Sequence, residues 1–119
     1  MKEQIMAGNV TYFEVPSNDI EATQRFWGTL FGWTFREGNF PGYSMIDGPN
    51  PLGGAPHEEP SRHPRIFFSV DDIHAAVARV RELGGTAEDP VTIPSGAFAH
   101  CVDDQGVEFS LSHEPGAQG

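Results

Sequence analysis

Phe13-Glu14-Val15-Pro16-Ser17-Asn18-Asp19-Ile20 and, 53 positions on, Ile66-Phe67-Phe68-Ser69-Val70-Asp71-Asp72-Ile73 are two versions of one pattern. Each runs from an apolar, strand-like stretch into an acidic residue followed by Ile. The same shift lays Ala22 on Ala75, Leu30 on Leu83, Gly32 on Gly85 and Gly53 on Gly106. One gapless offset that covers a strand, a helix and a later turn marks a tandem duplication, and it sets the fold before any single element is assigned.

Working outward, Val10–Val15 alternates, with Phe13 and Val15 on one side and Tyr12 and Glu14 on the other, the period of a half-buried strand. Asn18 is expected to cap the following helix, with Glu21 three residues on. Ile20, Thr23, Trp27, Leu30 and Phe31 form its apolar face, and Gly32 stops it. In the second half the strand is Arg65–Val70, the Asp71-Asp72 pair opens the helix, and Ile73, Ala76, Val77, Val80 and Leu83 make the stripe that Gly84-Gly85 closes. Short strands follow each helix: Thr34–Arg36, Tyr43–Asp47 and Leu52–Ala55, then Thr86–Glu88, Ala97–Val102 and Val107–Ser112. Gly48-Pro49-Asn50-Pro51 and Asp103-Asp104-Gln105-Gly106 are turns. The order is βαβββ twice, with module one at about 9–56, a polar, Pro-rich linker at about 57–64, module two at about 65–113 and a frayed C-terminal tail of about six residues.

The 119 residues suit a single domain, and Leu, Ile, Val and Phe make up about 23% of them, enough for a core. Seven Lys+Arg against seventeen Asp+Glu give a net charge of −10, which argues against nucleic acid and anionic membrane surfaces as partners. The acidity serves solubility or draws cations. Apolar runs such as Ile66-Phe67-Phe68 fall far short of the roughly 20 residues that span a bilayer. Met1–Met6 lacks the apolar stretch of a signal peptide, and the single Cys101 allows no internal disulfide, so the cytoplasm is the expected compartment.

A doubled βαβββ unit carrying Phe13–Ile20, Phe26-Trp27, Phe31-Gly32-Trp33, Val70-Asp71-Asp72-Ile73, Leu83-Gly84-Gly85 and Asp103-Asp104-Gln105-Gly106 resembles the vicinal oxygen chelate superfamily. That superfamily holds glyoxalase I, bleomycin-resistance-type binders, fosfomycin-resistance enzymes and extradiol dioxygenases. The resemblance covers about residues 9–113 and is nearest to small glyoxalase-like members. It implies an α+β fold in which two tandem βαβββ modules form a curved, barrel-like mixed sheet with helices on the convex face. It also implies a small-molecule ligand in the concave cavity and a homodimer. Metal-dependent members hold a divalent ion with His or Glu from the first and last strands of each half. The corresponding residues here are Tyr12, Arg65, Ser110 and, by the 53-residue shift, His57. Only one is an ordinary ligand, and Arg65 brings a positive charge, so no metal or other cofactor is expected.

If Phe13, Val15, Ile66, Phe68, Val70, Val107, Phe109 and Leu111 pack on the helices, alternation sends Tyr12, Glu14, Arg65, Phe67, Ser69, Glu108, Ser110 and Ser112 to the opposite face. Such a mixed lining suits a small organic ligand with an apolar body and a few polar handles. Glu14 or Glu108 is a candidate general base, with Tyr12 or Arg65 stabilising a developing oxyanion. Alternatively, Arg65 simply pairs with one of the carboxylates. His100 alternates with Phe98 and Val102 and reaches either the cavity or the core edge. Tyr43 joins the candidate ligand set, with Phe40 and Met45, beside a Gly/Pro-rich loop (Gly38–Gly42) that could form a mouth. His57 and His63, near the linker, read as solvated; His74 lies on the first turn of the second helix and His113 in the tail. Cys101 reads as a packing residue beside Ala97 and Ala99, and Trp27 as core.

The leading expectation is a metal-independent protein that either sequesters a small molecule or works on it by acid–base chemistry. The alternatives are a metal-dependent lyase, isomerase or dioxygenase with rearranged ligands, such as Glu108 in place of Ser110, and a structural or regulatory domain.

Overall fold

The structure is a computed structural model that describes residues 8–38, 41–57 and 63–113. The expectations for Met1–Met6, for Phe40, for most of the linker and for the C-terminal tail lie outside these residues. The described elements are β1 (Val10–Glu14), α1 (Ile20–Phe31), β2 (Thr34–Glu37), β3 (Ser44–Asp47) and β4 (Gly53–Ala55), then β5 (Arg65–Ser69), α2 (Ile73–Glu82), β6 (Thr86–Ala87), β7 (Val91–Ile93), β8 (Gly96–Val102) and β9 (Glu108–His113). This is the α+β, twice-βαβββ order expected, with one strand more: β7 pairs antiparallel with β8 through Val91↔Phe98 and Thr92↔Ala97. Pro90 and Pro94 bracket Val91-Thr92-Ile93, so its alternation is too short, between two prolines, to read as a strand.

The described residues form two compact units, one within Tyr12–Arg65 and the other of residues 8–11 joined to 66–113. In the first, β3 pairs antiparallel with β2 and β4, and β4 pairs parallel with β1 through Phe13↔Gly53 and Glu14↔Gly54. Val15, Ile46 and Ala55 are its buried core, with Phe13, Ile20, Trp27, Trp33 and Phe35 packed around them. Trp27 and Trp33 stack with ring centroids 5.5 Å apart. In the second, β5 pairs parallel with β9, and β9 antiparallel with β8. Ile73 and Val77 of α2 meet Ala99, Cys101 and Leu111, with Phe68, Val70 and Phe109 beside them. Cys101 is a buried packing residue. Backbone bonds from Gly8 to Ser69 and from Ser69 to Asn9 tie the start of the chain to β5.

The duplication shows most directly at the helix starts. Asp19 and Asp72, 53 positions apart, are both N-caps with extended backbone, and their carboxylates accept from the amides of Ala22 and Ala75. The cap is therefore Asp19 and not Asn18, which is exposed. Gly32 ends α1 in the left-handed conformation with φ 76°, a region that favours a residue lacking Cβ.

The apolar stripes of the helices are narrower than the sequence pattern predicts. Leu30, Phe31 and Leu83, expected inside, are each more than half exposed, because they lie in or beyond the last helical turn. Val107, also expected against a helix, is 59% exposed: β9 begins one residue later, and the Val107 amide instead donates to the Asp103 carboxylate in the turn. Among the described residues no helix is long and apolar enough to cross a membrane.

Candidate functional site

Alternation along β1, β3 and β4 sends Phe13, Ile46, Gly53 and Ala55 toward α1, and hence Tyr12, Glu14, Met45 and Gly54 to the other face. Three of the residues singled out in the sequence meet there. Tyr43 donates to Glu14 Oε2 at 3.0 Å, and the hydroxyls of Tyr12 and Tyr43 are hydrogen-bonded to each other. The Tyr12 oxygen also lies 3.6 Å from Met45 Sδ.

What makes room for this cluster is a residue the sequence reading passed over. A Cβ built on Gly54 would land on the hydroxyls of both tyrosines, and one built on Gly53 would land 2.5 Å from the Phe13 ring. The Gly53-Gly54 pair thus opens space on both faces of β4 at once. The sequence offered two adjacent glycines inside a strand, a sign of close approach by another group.

Both phenols hold their protons more tightly than a free tyrosine. Burial is the main cause in each. For Tyr43 the Glu14 charge is the next cause, and its bonds to Tyr12 and Glu14 add to it. For Tyr12 the hydrogen bond shared with Tyr43 lowers the pKa, the Glu14 charge raises it further, and the Arg36 charge lowers it. Arg36 is itself held by Asp47 across β2 and β3, Nε to Oδ2 at 2.7 Å and Nη2 to Oδ1 at 3.3 Å.

In the second unit the face away from α2 carries Phe67, Ser69, His100 and Ser110. Ser110 is fully buried, stands opposite His100 in the β8–β9 pairing, and its Oγ is 2.6 Å from His100 Nδ1. Phe98 lies beside the imidazole at a centroid distance of 5.2 Å, and Phe67 meets it edge-on at 6.3 Å. Thr11 and Ser112 share a hydroxyl bond of 3.0 Å. Arg65 is half-buried at the start of β5, and Glu108 is exposed at the start of β9.

The pairing registers also correct one correspondence between the halves. Phe67 lies 53 positions after Glu14, and the residue opposite Phe67 is Ser110, while the residue opposite Glu14 is Gly54. Gly54, not His57, is therefore the counterpart of Ser110. The extra strand β7 and the longer β8 lengthen the second half and break the 53-residue shift before β9. His57 lies past the end of β4, exposed, in a bridge with Ser17.

Of the positions that the resemblance marks for an ion, Tyr12 is a phenol, Gly54 leaves its space to two tyrosine hydroxyls, Arg65 is a guanidinium and Ser110 a serine. None of these is an ordinary ligand of a divalent cation. Among the described residues no three His, Cys, Asp or Glu side chains come together as a ligand group.

Two surface grooves lie elsewhere, each at the start of a helix. One, of about 330 Å³, runs along Val15, Thr23, Phe26, Trp27 and Pro64. The other, of about 440 Å³, is bordered by Asp71, Asp72, His74, Thr92 and His113. Neither includes any of the candidate site residues.

The sequence pattern of the glyoxalase-like domain matches residues 12–112. A glyoxylase-like domain-containing protein of Didymella fabae is 25% identical, with 94% of this chain and 98% of that protein covered. The anthracycline biosynthesis protein DauV of Streptomyces sp. (strain C5) is 33% identical over 114 residues, which are 87% of this chain and 41% of DauV, so the chain spans about two-fifths of that protein. Among solved structures, a glyoxalase/bleomycin resistance protein/dioxygenase superfamily member from Vibrio splendidus 12B01 shares the fold, with a TM-score of 0.64 at 13% identity over 87% of this chain and 96% of that one. With the doubled module, its caps and a pattern match over most of its length, the chain belongs to the glyoxalase-like domain family.

Proposed function

We propose that this protein binds a small organic molecule on the helix-free face of its first module, at Tyr12, Tyr43 and Glu14, without a metal ion. The observation that carries this reading is the hydrogen-bonded series Tyr12–Tyr43–Glu14 over Gly54. A half-buried carboxylate that takes its hydrogen bond from a neighbouring phenol, with the Met45 thioether beside the pair, combines a prepared polar group with an apolar neighbour, as ligand sites do. Where the ligand is only held, the protein sequesters it. Where it reacts, Glu14 is the base, with the tyrosines between it and the substrate. His100, Ser110, Phe67 and Ser69, with Arg65 and Glu108, are proposed by themselves as ligand contacts on the second module. The kinship with an anthracycline biosynthesis protein favours an aromatic ligand. A homodimer and a cytoplasmic setting complete the reading, and light scattering of the purified protein tests the first.

The test is a screen of aromatic metabolites against chelator-treated protein, followed by amide NMR shifts. Binding should perturb Tyr12, Glu14, Tyr43, Met45 and Gly54, and Glu14→Gln with Tyr43→Phe should weaken it by about tenfold or more. Ligands that map only to the groove beside Phe26 and Trp27, or that bind only when a divalent ion is restored, would overturn it.

A further inference from the structure

We propose that the ligand received at this face carries a carboxylate, and that Arg36, which the sequence reading placed only as the end of a short strand, binds it; this rests on Tyr12, Tyr43 and Glu14 being the binding site. Arg36 stands opposite Met45, Met45 opposite Gly54 and Gly54 opposite Glu14, so one row crosses β2, β3, β4 and β1. Residues that oppose each other in a sheet share a face, and the neighbouring pair, Phe35 and Ile46, goes to the core. Arg36 is therefore on the helix-free face, with Glu14 at the far end of its row. Strands lie about 4.8 Å apart, which puts about 14 Å between the two backbones. A ligand of one or two aromatic rings, met by side chains from both ends, bridges such a span.

The guanidinium is a planar fork of five N–H donors, and it is only partly engaged. Its side edge is held by Asp47, with Nε bonded to Oδ2 and Nη2 to Oδ1. Among the described residues Arg36 bonds to nothing else, and 54% of its side chain is exposed. The end of the fork, Nη1 with the second N–H of Nη2, keeps two parallel donors, the geometry that takes both oxygens of a carboxylate at once. Asp47 fixes the plane in advance, so less ordering is left to the ligand. Burial raises the Tyr12 pKa and the Arg36 charge acts against it, so the guanidinium lies within electrostatic reach of the Tyr12 hydroxyl. The net charge of −10 opposes anions in general, so a preference for a carboxylate has to be made by directed donors.

2-Naphthoate and 2-naphthamide serve as probes of one shape, the first with a carboxylate and the second with a neutral amide. Each is titrated into the ¹⁵N-labelled full chain and into Arg36→Leu, with amide shifts at residues 12–14, 43–45 and 54 as the readout of the site. In the wild type naphthoate should bind about tenfold more tightly than naphthamide. In Arg36→Leu that order should vanish or reverse, while naphthamide stays within about twofold of its wild-type affinity. If the variant fails to fold, the Nε–H signal of Arg36 in the wild type decides, since naphthoate should shift it and naphthamide should not. Equal binding of the two probes by the wild type, or a naphthoate preference that survives in Arg36→Leu, overturns the assignment to Arg36 while leaving the site standing. If neither probe shifts residues 12–14, 43–45 and 54, the site reading falls, and this proposal with it.

Discussion

Gly54 stands opposite Glu14 in the parallel pairing of β1 with β4, and the space its missing side chain leaves is held by the hydroxyls that serve Glu14. In the second module the same register puts Ser110 opposite Phe67, and there the residue carries a hydroxyl that bonds to His100. The duplicated scaffold has thus solved one position in two ways, with a built-in side chain in one half and an opening for borrowed groups in the other.

Gly54→Ala follows directly from this. The added methyl cannot coexist with both phenols where they are, and the backbone of β4 is fixed by strands on either side. Overpacking of this kind costs about 1–3 kcal/mol, read as a lower urea midpoint, and the two hydroxyls should be driven toward water. A wild-type midpoint for Gly54→Ala would show that the tyrosines do not occupy this space.

The protein has two tyrosines, Tyr12 and Tyr43, so tyrosinate absorbance during alkaline titration reports on this pair and nothing else. Both should ionise above the ordinary value of 10.0 in the folded protein and return to about 10 in urea. The sign for stability follows from linkage. A phenol whose pKa is raised by folding binds its proton more tightly when folded, so its contribution is complete below about pH 10 and is lost as the pH climbs through the folded value. The urea midpoint should therefore fall above about pH 10. Glu14→Gln removes a charge that raises both phenols, so their ionisation should move back toward 10. A native midpoint at or below 10 would remove the buried, carboxylate-linked pair.

How much of this could be read beforehand depends on the range of the interaction involved. Helix starts were legible because a cap is local: an acidic residue before Ile at 19 and at 72 acts on an amide three residues on. The choice of Asp19 over Asn18 was missed, since both are competent caps and only backbone geometry separates them. Facing residues were legible from period-two alternation, which placed Tyr12 and Glu14 together and Cys101 inward. Alternation along one strand says nothing about its partner strand, so the closeness of Tyr43 to Glu14 could not be deduced from it. The equation of His57 with Ser110 failed for a related reason. A gapless shift assumes equal lengths, and the β7–β8 hairpin, whose three-residue first strand lies between Pro90 and Pro94, breaks that equality.

The caps give a sharp pair of substitutions. Asp19→Ala and Asp72→Ala should each cost about 1 kcal/mol, within a usual span of roughly 0.5–2, because each leaves an amide of the first turn without its acceptor. Asn18→Ala, one residue earlier and exposed, should change stability by less than about 0.5 kcal/mol. Urea unfolding of the three variants checks this, and a larger loss for Asn18→Ala than for Asp19→Ala would reverse the assignment.

The two apolar residues Ile46 and Val107 separate burial from mere hydrophobicity. Ile46 is fully buried in β3 among Val15, Ala55 and the aromatic residues packed against α1, so Ile46→Ala removes packed methyls and leaves a cavity that the adjoining strands cannot close. The expected loss is about 2–5 kcal/mol, a large part of the stability of a chain this size. Val107 is 59% exposed, and its structural contribution is made by its backbone, whose amide bonds to Asp103 and whose carbonyl receives the Asp103 amide. Val107→Ala should therefore stay within about 0.5 kcal/mol of wild type, while Val107→Pro, which deletes the amide proton, should cost clearly more than Val107→Ala. Equal losses for Val107→Ala and Val107→Pro would mean that the side chain is packed after all, and that β9 begins where its apolar pattern first suggests.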